Sequence, residues 1–365
     1  MAGKIKVGVL GATGMVGQRY IKLLEDHPWF EVTYVAASPR SAGQPYKDAV
    51  KNRWLIGADI PAAVQDLIVE DANIADKAIG KCQFVFSALE LPKKEDIKNL
   101  EEAYAQKGIP VVSNASANRW TEDVPMLVPE INYEHLNVIA DQKKHHGWDK
   151  GFIAVKPNCS LQTYMMPIHA LIQAGYEIKR MVVTTLQATS GAGYPGVPSF
   201  DMIDNIVPFI GGEEEKTEKE CLKILGKVVD GKIENAPGPI VSSTCTRVPV
   251  IDGHTACVSL EFGEKKPSME EIEKIWTPYT SVPQELKLPS APEHPIVVRH
   301  EENRPQPRRD RETEKGMACV IGRLRPCNVF DIKFVALSHN TKRGAALGGI
   351  LNAELLKAKG YFDNL

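Results

Sequence analysis

The run Lys156-Pro157-Asn158-Cys159-Ser160 sets a thiol beside a carboxamide, directly after an apolar stretch, Phe152–Val155, that reads as a strand. A helix-like pattern follows it, which predicts Cys159 at a helix N-terminus. Unpaired N–H groups and the positive end of the helix dipole favour thiolate there. Such a sulfur is a nucleophile, and the same N–H groups can hold an oxyanion. The bland alternative is a small buried thiol in a strand–helix corner. A second run, Arg247-Val-Pro-Val-Ile-Asp252-Gly-His254, offers a guanidinium that could clamp a carboxylate and an imidazole that could move a proton. Arg247 falls on a strand and His254 in the turn after it, so both can face one cleft.

Four further segments suit ligand contacts. Gly11-Ala-Thr13-Gly14-Met15-Val16-Gly17 lies between the first strand and the first helix, where small residues let a pyrophosphate approach a helix N-terminus. The second strand ends in Ala37-Ser38-Pro39-Arg40-Ser41, without the acidic residue that holds an NAD ribose; an arginine between hydroxyls suits the 2′-phosphate of NADP. Asn114-Ala-Ser-Ala-Asn-Arg119 follows another strand and offers a phosphate ligand. Gln187-Ala-Thr-Ser190-Gly191-Ala-Gly193 is a small-residue loop able to pass close to a ligand. Glu213-Glu-Glu-Lys216 opens an amphipathic helix, for which capping alone would account.

These residues need a scaffold, and the chain is long enough for two domains: 365 residues, 43% hydrophobic and 25% charged. A net charge of −2 gives no basic field for nucleic acid or anionic membrane. No signal-like segment opens the sequence, and no run is apolar enough to span a bilayer, so a cytoplasmic protein is expected. Seven scattered cysteines without a Cys-x-x-Cys pair argue against a disulfide framework and a zinc site, and no metal is expected.

The first half alternates apolar runs with helical patterns. Strands are expected at Lys4–Leu10, Glu31–Ala37, Gln83–Ala88, Ile109–Ser113 and Asn137–Asp141, with helices at Met15–Glu25 and Lys94–Lys107. That alternation implies an α/β fold with a parallel, Rossmann-type sheet. Beyond Cys159 the strands lengthen: Met181–Ala188, Ile240–Val250, His254–Phe262, Ala318–Leu324 and Asp331–Leu337, with a helix at Met269–Trp276. They predict a second, mixed-sheet α+β domain. Leu347, Ile350, Leu351, Leu355 and Ala358 recur at helical spacing, so the C-terminal helix should return to the first domain. The expected division is 1–156 completed by 342–365, and 157–341. The charged, proline-rich stretch Arg299–Glu312 reads as a solvated loop.

Taken together, Gly-Ala-Thr-Gly-Met-Val-Gly, Pro-Asn-Cys-Ser, Gln-Ala-Thr-Ser-Gly-Ala-Gly, Arg-Val-Pro-Val-Ile-Asp-Gly-His and Asn-Arg-Pro-Gln-Pro-Arg resemble the aspartate-semialdehyde dehydrogenase family, in its fungal and archaeal branch. The resemblance implies NADP-dependent interconversion of L-4-aspartyl phosphate and L-aspartate-4-semialdehyde, on the route to lysine, threonine, methionine and isoleucine. It implies Cys159 as nucleophile, His254 as acid/base and Gln187 as the residue orienting the acyl group. Arg247 and Glu213 then meet the substrate's carboxylate and ammonium, and Arg119, Asn158 and Lys216 its phosphate. The cofactor contacts expected with it are Gly11, Thr13, Gly14, Met15, Val16, Gly17, Ser38, Arg40, Ser41, Ser87, Ser190, Gly191 and Asn340. A homodimer or homotetramer is expected, with Arg299–Glu312 contributing to an interface. The helix after Cys159 contains Pro167, which should kink it. Another acyl reductase of the same architecture, acting on N-acetylglutamyl phosphate or malonyl-CoA, stays open, as does a non-catalytic NADP-sensing protein.

Overall fold

Six strands within the first 155 residues form one parallel sheet in the computed structural model, which describes residues 3–363 and 365. They are β1 (Ile5–Leu10), β2 (Phe30–Ala37), β3 (Val69–Asp71), β4 (Phe84–Ser87), β5 (Val111–Ser113) and β6 (Ile153–Val155). The sheet runs β3-β2-β1-β4-β5-β6. The order reverses at β1, which opens a crevice beyond the carboxyl ends of the strands. Val7, Val9, Val35, Phe84 and Phe86 are fully buried, as expected of parallel strands covered on both faces. The longer helices are α1 (Met15–Leu23), α2 (Lys94–Gln106), α3 (Ile139–His146), α4 (Met165–Gln173), α5 (Glu213–Ile224), α6 (Met269–Trp276) and α7 (Ala346–Ala358). The C-terminal α7 returns to the first sheet and packs on α1, so closely that a Cβ at Gly349 would stand 1.9 Å from the Tyr20 hydroxyl.

The strand expected at Asn137–Asp141 is instead a 3₁₀ turn, Tyr133–Val138, running into α3. A short apolar run does not discriminate the two periods. Here the tie is broken from outside: Gln142 of α3 turns inward and exchanges hydrogen bonds with the backbone of Ile153 at 2.7 and 3.0 Å. That fixes the segment as a helix beside β6.

The second sheet is mixed. Its order is β10-β7-β11-β14-β13-β12, built from β7 (Ile178–Gln187), β10 (Ile240–Arg247), β11 (His254–Phe262), β12 (Ile296–Arg299), β13 (Cys319–Pro326) and β14 (Ile332–Ser338). A small hairpin, β8 (Lys227–Val229) and β9 (Lys232–Glu234), stands apart. Met181, Val183, Val258 and Phe334 bury one face of the six-stranded sheet with α4 and α6, where Trp276 Nε1 donates to the Pro167 carbonyl at 2.9 Å. On the other face, Val182 and Cys257 are exposed. Pro167 introduces no kink of the kind expected. It is the third residue of α4, where a missing N–H costs no intrahelical bond. Arg299–Glu312 is not the solvated loop that its composition suggests. Asp310 is buried and gathers Arg299, Arg304 and the Gln306 backbone, and Arg311 donates to the Asp252 carbonyl at 3.1 Å. The stretch therefore buttresses the turn that carries His254.

One buried ion pair ties the residues just before α7 to the short helical turn Pro129–Asn132 between β5 and β6. Arg343 reaches both oxygens of Glu130, at 2.7 and 2.8 Å. Both side chains lie inside the protein. Glu130→Gln would leave the guanidinium uncompensated and should cost about 3–5 kcal/mol, the usual penalty for breaking a buried pair. Denaturant unfolding measures it; a loss below about 1 kcal/mol would show that the pair is not what anchors this segment.

Candidate active site

Cys159 and His254 arrive from opposite sheets. Asn158 and Cys159 leave the end of β6; His254 is the first residue of β11, beside β7. Cys159 Sγ and His254 Nε2 are 3.2 Å apart. The Ala188 N–H donates to His254 Nδ1 at 3.0 Å. That contact makes Nδ1 an acceptor and assigns the ring proton of the neutral imidazole to Nε2, facing sulfur. Burial, reinforced by Arg247, pushes His254 down to about 3, so at neutral pH the ring presents a neutral donor.

The expected helix N-terminus does not begin at Cys159. A 3₁₀ turn, Leu161–Thr163, intervenes, and α4 starts only at Met165. Nor is the thiol depressed: burial first, then Glu213, push it up to about 11, against the pull of Lys156, Arg119 and Arg247. Asn158 does sit beside it as the sequence suggests, shaped by its own turn. Its Oδ1 accepts from the Ser160 N–H at 2.8 Å and the Ser160 hydroxyl at 2.7 Å.

α5 lies across the cleft and supplies two buried carboxylates. Glu213, its first residue, accepts from Asn158 Nδ2 at 2.9 and 3.0 Å, Gln187 Nε2 at 3.2 Å and Lys216 Nζ at 2.7 Å. Burial alone would raise it, yet Lys216, Asn158 and Gln187 together hold it below the usual carboxylate range. Of the three consecutive glutamates, Glu213 alone is buried and in the cleft; Glu214 turns to the Cys245 N–H and Glu215 is exposed. Glu220, two turns on, accepts from the Asn158 N–H at 2.6 Å and from Arg119 at 3.0 Å. The Arg119 loop is also held from below, by Lys223, which donates to the carbonyls of Arg119 and Thr121 at 2.9 and 2.7 Å.

Arg247 differs from these paired cations. It is buried, donates to the Ala188 carbonyl at 2.8 Å, and has no carboxylate partner among the described residues. A buried guanidinium of this kind, on the wall of a cavity, has donors free to receive an anion. Gly191 explains the small-residue loop: a Cβ there would stand 2.8 Å from Arg247 Nη1 and 3.1 Å from His254 Cε1. Asn340 joins that loop to the histidine turn, donating to Ser190 Oγ and accepting from the Gly253 N–H, both at 2.8 Å.

The cleft is a cavity of about 550 Å³ lined by Asn158, Cys159, Gln187, Glu213, Lys216, Arg119 and Arg247, with Ser190, Gly191 and Asn340. Met15, Val16, Leu89 and Gly193 also border a second cavity of about 320 Å³, walled by Gly11, Thr13, Gly14 and Ser38. The two form one groove from the thiol to the end of β2. Its second arm fits a dinucleotide. The N-terminus of α1 has neither a side-chain cap nor an acidic residue in its first turn. A Cβ on Gly14 would meet nothing closer than 3.4 Å, so no protein contact demands that glycine. Gly17 serves packing instead: its Cβ would lie 2.2 Å from the Gly11 carbonyl oxygen.

Besides Gly17, three expected cofactor contacts fall elsewhere. Ser87 is fully buried and donates to Glu101 at 2.7 Å, below the groove floor. Arg40 is exposed and absent from the groove wall. Ser41 is buried and accepts from Arg53 at 3.0 Å. Arg53 itself lines the groove, with Nη2 3.5 Å from Thr13 Oγ1. No motif announces it, since it lies 13 residues beyond Arg40 in an irregular loop. The only signal was the missing acid at the end of β2, which does not say which arginine takes its place.

Two family models cover most of the chain: "Semialdehyde dehydrogenase, NAD binding domain" over residues 6–139 and "Semialdehyde dehydrogenase, dimerisation domain" over 168–343. The aspartate-semialdehyde dehydrogenase of Methanothermobacter thermautotrophicus is 47% identical over 354 residues, 96% of this chain and 99% of its own. That of Cryptococcus neoformans is 46% identical over 365 residues, 99% of each. The crystal structure of the Candida albicans enzyme with NADP superposes with a TM-score of 0.88 at 41% identity, covering 98% of this chain and all of that one. Near-complete coverage at such identity, on a scaffold that brings a cysteine and a histidine together between two sheets, decides the matter: the chain belongs to the aspartate-semialdehyde dehydrogenase family.

Proposed function

We propose that the protein interconverts L-4-aspartyl phosphate and L-aspartate-4-semialdehyde plus phosphate, with NADP(H), in lysine, threonine, methionine and isoleucine synthesis. The observation that carries this reading is the 3.2 Å contact of Cys159 Sγ with His254 Nε2, in a cleft that also offers Arg247 and Glu213. An unpaired guanidinium and a buried carboxylate suit the two charged ends of an amino acid. An N-acetylated acyl phosphate has no ammonium for Glu213, which favours the aspartyl substrate. We assign the cofactor domain to 1–156 with 342–365 and the catalytic domain to 157–341.

The residues divide the chemistry as follows. Sulfur of Cys159, as thiolate, attacks the acyl carbon; the bond from that carbon to the phosphate oxygen breaks and phosphate departs, leaving a thioester. Arg119, Lys216 and Asn158 stand where the departing dianion needs donors. NADPH held in the groove would supply a hydride to the thioester carbon. The His254 Nε2–H then faces the oxygen that becomes negative, and Gln187 Nε2 helps to orient it. Collapse of that oxyanion breaks the carbon–sulfur bond, releases aldehyde and returns thiolate, so no net proton is needed at sulfur. We place the 2′-phosphate of NADP at Arg53, with Thr13 and Ser38 beside it. A second copy of the chain is the partner we propose for the open face of the second sheet, as a homodimer or a pair of such dimers. A cytosolic site would keep the cysteines reduced; all seven are free.

The direct test is NADPH formation from aspartate semialdehyde, NADP and phosphate, omitting each in turn. Loss of signal in every omission supports the reading; formation without phosphate contradicts it. At the cofactor, Arg53→Ala should weaken NADP by about 2–3 kcal/mol, the worth of charge-assisted hydrogen bonds, and leave NAD unchanged. Arg40→Ala should change neither. Titration of both dinucleotides checks this, and the reverse pattern would return the role to Arg40. At the substrate end, Arg247→Lys should chiefly raise KM for the semialdehyde, whereas His254→Asn should lower kcat by about 10²–10⁴. Steady-state kinetics separates them; if His254→Asn raised only KM, the division of roles would be wrong.

A further inference from the structure

Glu220 touches two residues of the reaction without reaching the cleft. It is fully buried and absent from the cavity wall. Its two oxygens are divided between two partners. Oε2 accepts from the backbone N–H of Asn158 at 2.6 Å, and Oε1 accepts from Arg119 Nη1 at 3.0 Å. Asn158 immediately precedes Cys159, and Arg119 sits in the loop that follows β5. One carboxylate therefore joins the turn that carries the sulfur to the arginine assigned to phosphate.

The two contacts make different demands. A backbone N–H is satisfied by any carbonyl-type acceptor. A buried guanidinium needs an anion, and Glu220 is the only carboxylate paired with Arg119 among the described residues. Arg119 Nη2 donates to the Asn114 carbonyl at 3.2 Å, and its Nε has no partner there. Glu220 and Asn114 thus hold the head of the arginine at two points. The main chain of the same loop is held separately. Lys223, one turn further along α5, donates to the carbonyls of Arg119 and Thr121 at 2.9 and 2.7 Å. Removing the charge of Glu220 would free the guanidinium while the loop stays anchored. The distance that matters runs between phosphate oxygen and the acyl carbon on sulfur, which must approach to about 3–3.5 Å to react. Arg119 sets one end of it and the Asn158–Cys159 turn the other.

We propose that Glu220 is a positioning residue that registers the phosphate-binding Arg119 against the turn carrying the nucleophile, and that it binds no substrate itself. This role rests on the reading above, with Cys159 as nucleophile and Arg119 as a phosphate ligand. Because Glu220 acts through Arg119, its effect on phosphate should vanish when Arg119 is removed.

The test is steady-state oxidation of the semialdehyde with phosphate varied, in Glu220→Gln, Arg119→Ala and the double variant. Glu220→Gln keeps an acceptor for the Asn158 N–H and takes the counter-charge from Arg119. It should raise KM for phosphate about tenfold, the worth of a charged hydrogen bond, and leave KM for NADP unchanged. Adding Glu220→Gln to Arg119→Ala should change KM for phosphate by less than about twofold, because the group that Glu220 holds has gone. Glu220→Asp keeps the charge but shortens the reach by a methylene, and should show the same raised KM for phosphate; it decides the matter where Glu220→Gln does not fold. Effects of the two changes that multiply in the double variant overturn the proposal, since a general contribution to folding behaves that way. A folded Glu220→Gln or Glu220→Asp with an unaltered KM for phosphate overturns it too. If Arg119→Ala alone left KM for phosphate unchanged, the assignment of the phosphate site would be at fault, and the role of Glu220 would fall with it.

Discussion

Two carboxylates on one helix hold the active cleft together. Glu213 and Glu220 are seven residues apart on α5 and so share one face, about two turns apart. Glu220 grips the backbone N–H of Asn158 and the Arg119 loop. Glu213 grips the side chains of Asn158, Gln187 and Lys216. Through them a single helix joins the carboxyl edge of the first sheet to the end of β7 in the second. Buried carboxylates are tolerable only when their oxygens are fully engaged. The requirement works in both directions: the donors fix the carboxylates, and the carboxylates fix the donors. The Cys159–His254 contact, made across the two sheets, depends on that clamp.

The clamp also sets the electrical problem that catalysis must solve. Burial works against ionisation of Cys159, Glu213 adds to it, and the histidine beside the sulfur is neutral with its proton already on Nε2. A cysteine–histidine ion pair is therefore not the resting arrangement. Cations around the sulfur carry the opposing influence. A substrate whose ammonium meets Glu213 would remove part of the opposition as it binds. In this view the site is quiet until filled, which suits a thiol that would otherwise be exposed to oxidation and stray alkylation.

Much of this was readable from residue order. The parallel sheet, the mixed sheet, the returning C-terminal helix and the Cys159, Arg247 and His254 constellation follow from periodicity and motif spacing. What was not readable depends on where side chains turn. Ser87 ends a strand at the groove edge but points down to Glu101, because a buried carboxylate there collects Ser87, Ser113 and Asn118. Arg40 sits where the sequence invites a phosphate ligand, yet the loop brings Arg53 to the wall instead. Glu220 looks like a solvated position in a charged helix until two partners more than 60 residues away are known. Arg299–Glu312 hides its role for the same reason: Asp310 is legible as a core residue only once the arginines are seen to close over it. Local pattern reports period and propensity; it does not report which charge finds a distant partner.

All of the proposed chemistry passes through Cys159, which carries the acyl group. Mixing the protein with L-4-aspartyl phosphate in the absence of NADPH, quenching in acid and taking the intact mass tests it most directly. One aspartyl group per chain is expected, located on the peptide containing Cys159 and labile to hydroxylamine, with an equal amount of phosphate released. Phosphate release that requires NADPH, with no acylated protein at any time, would contradict it.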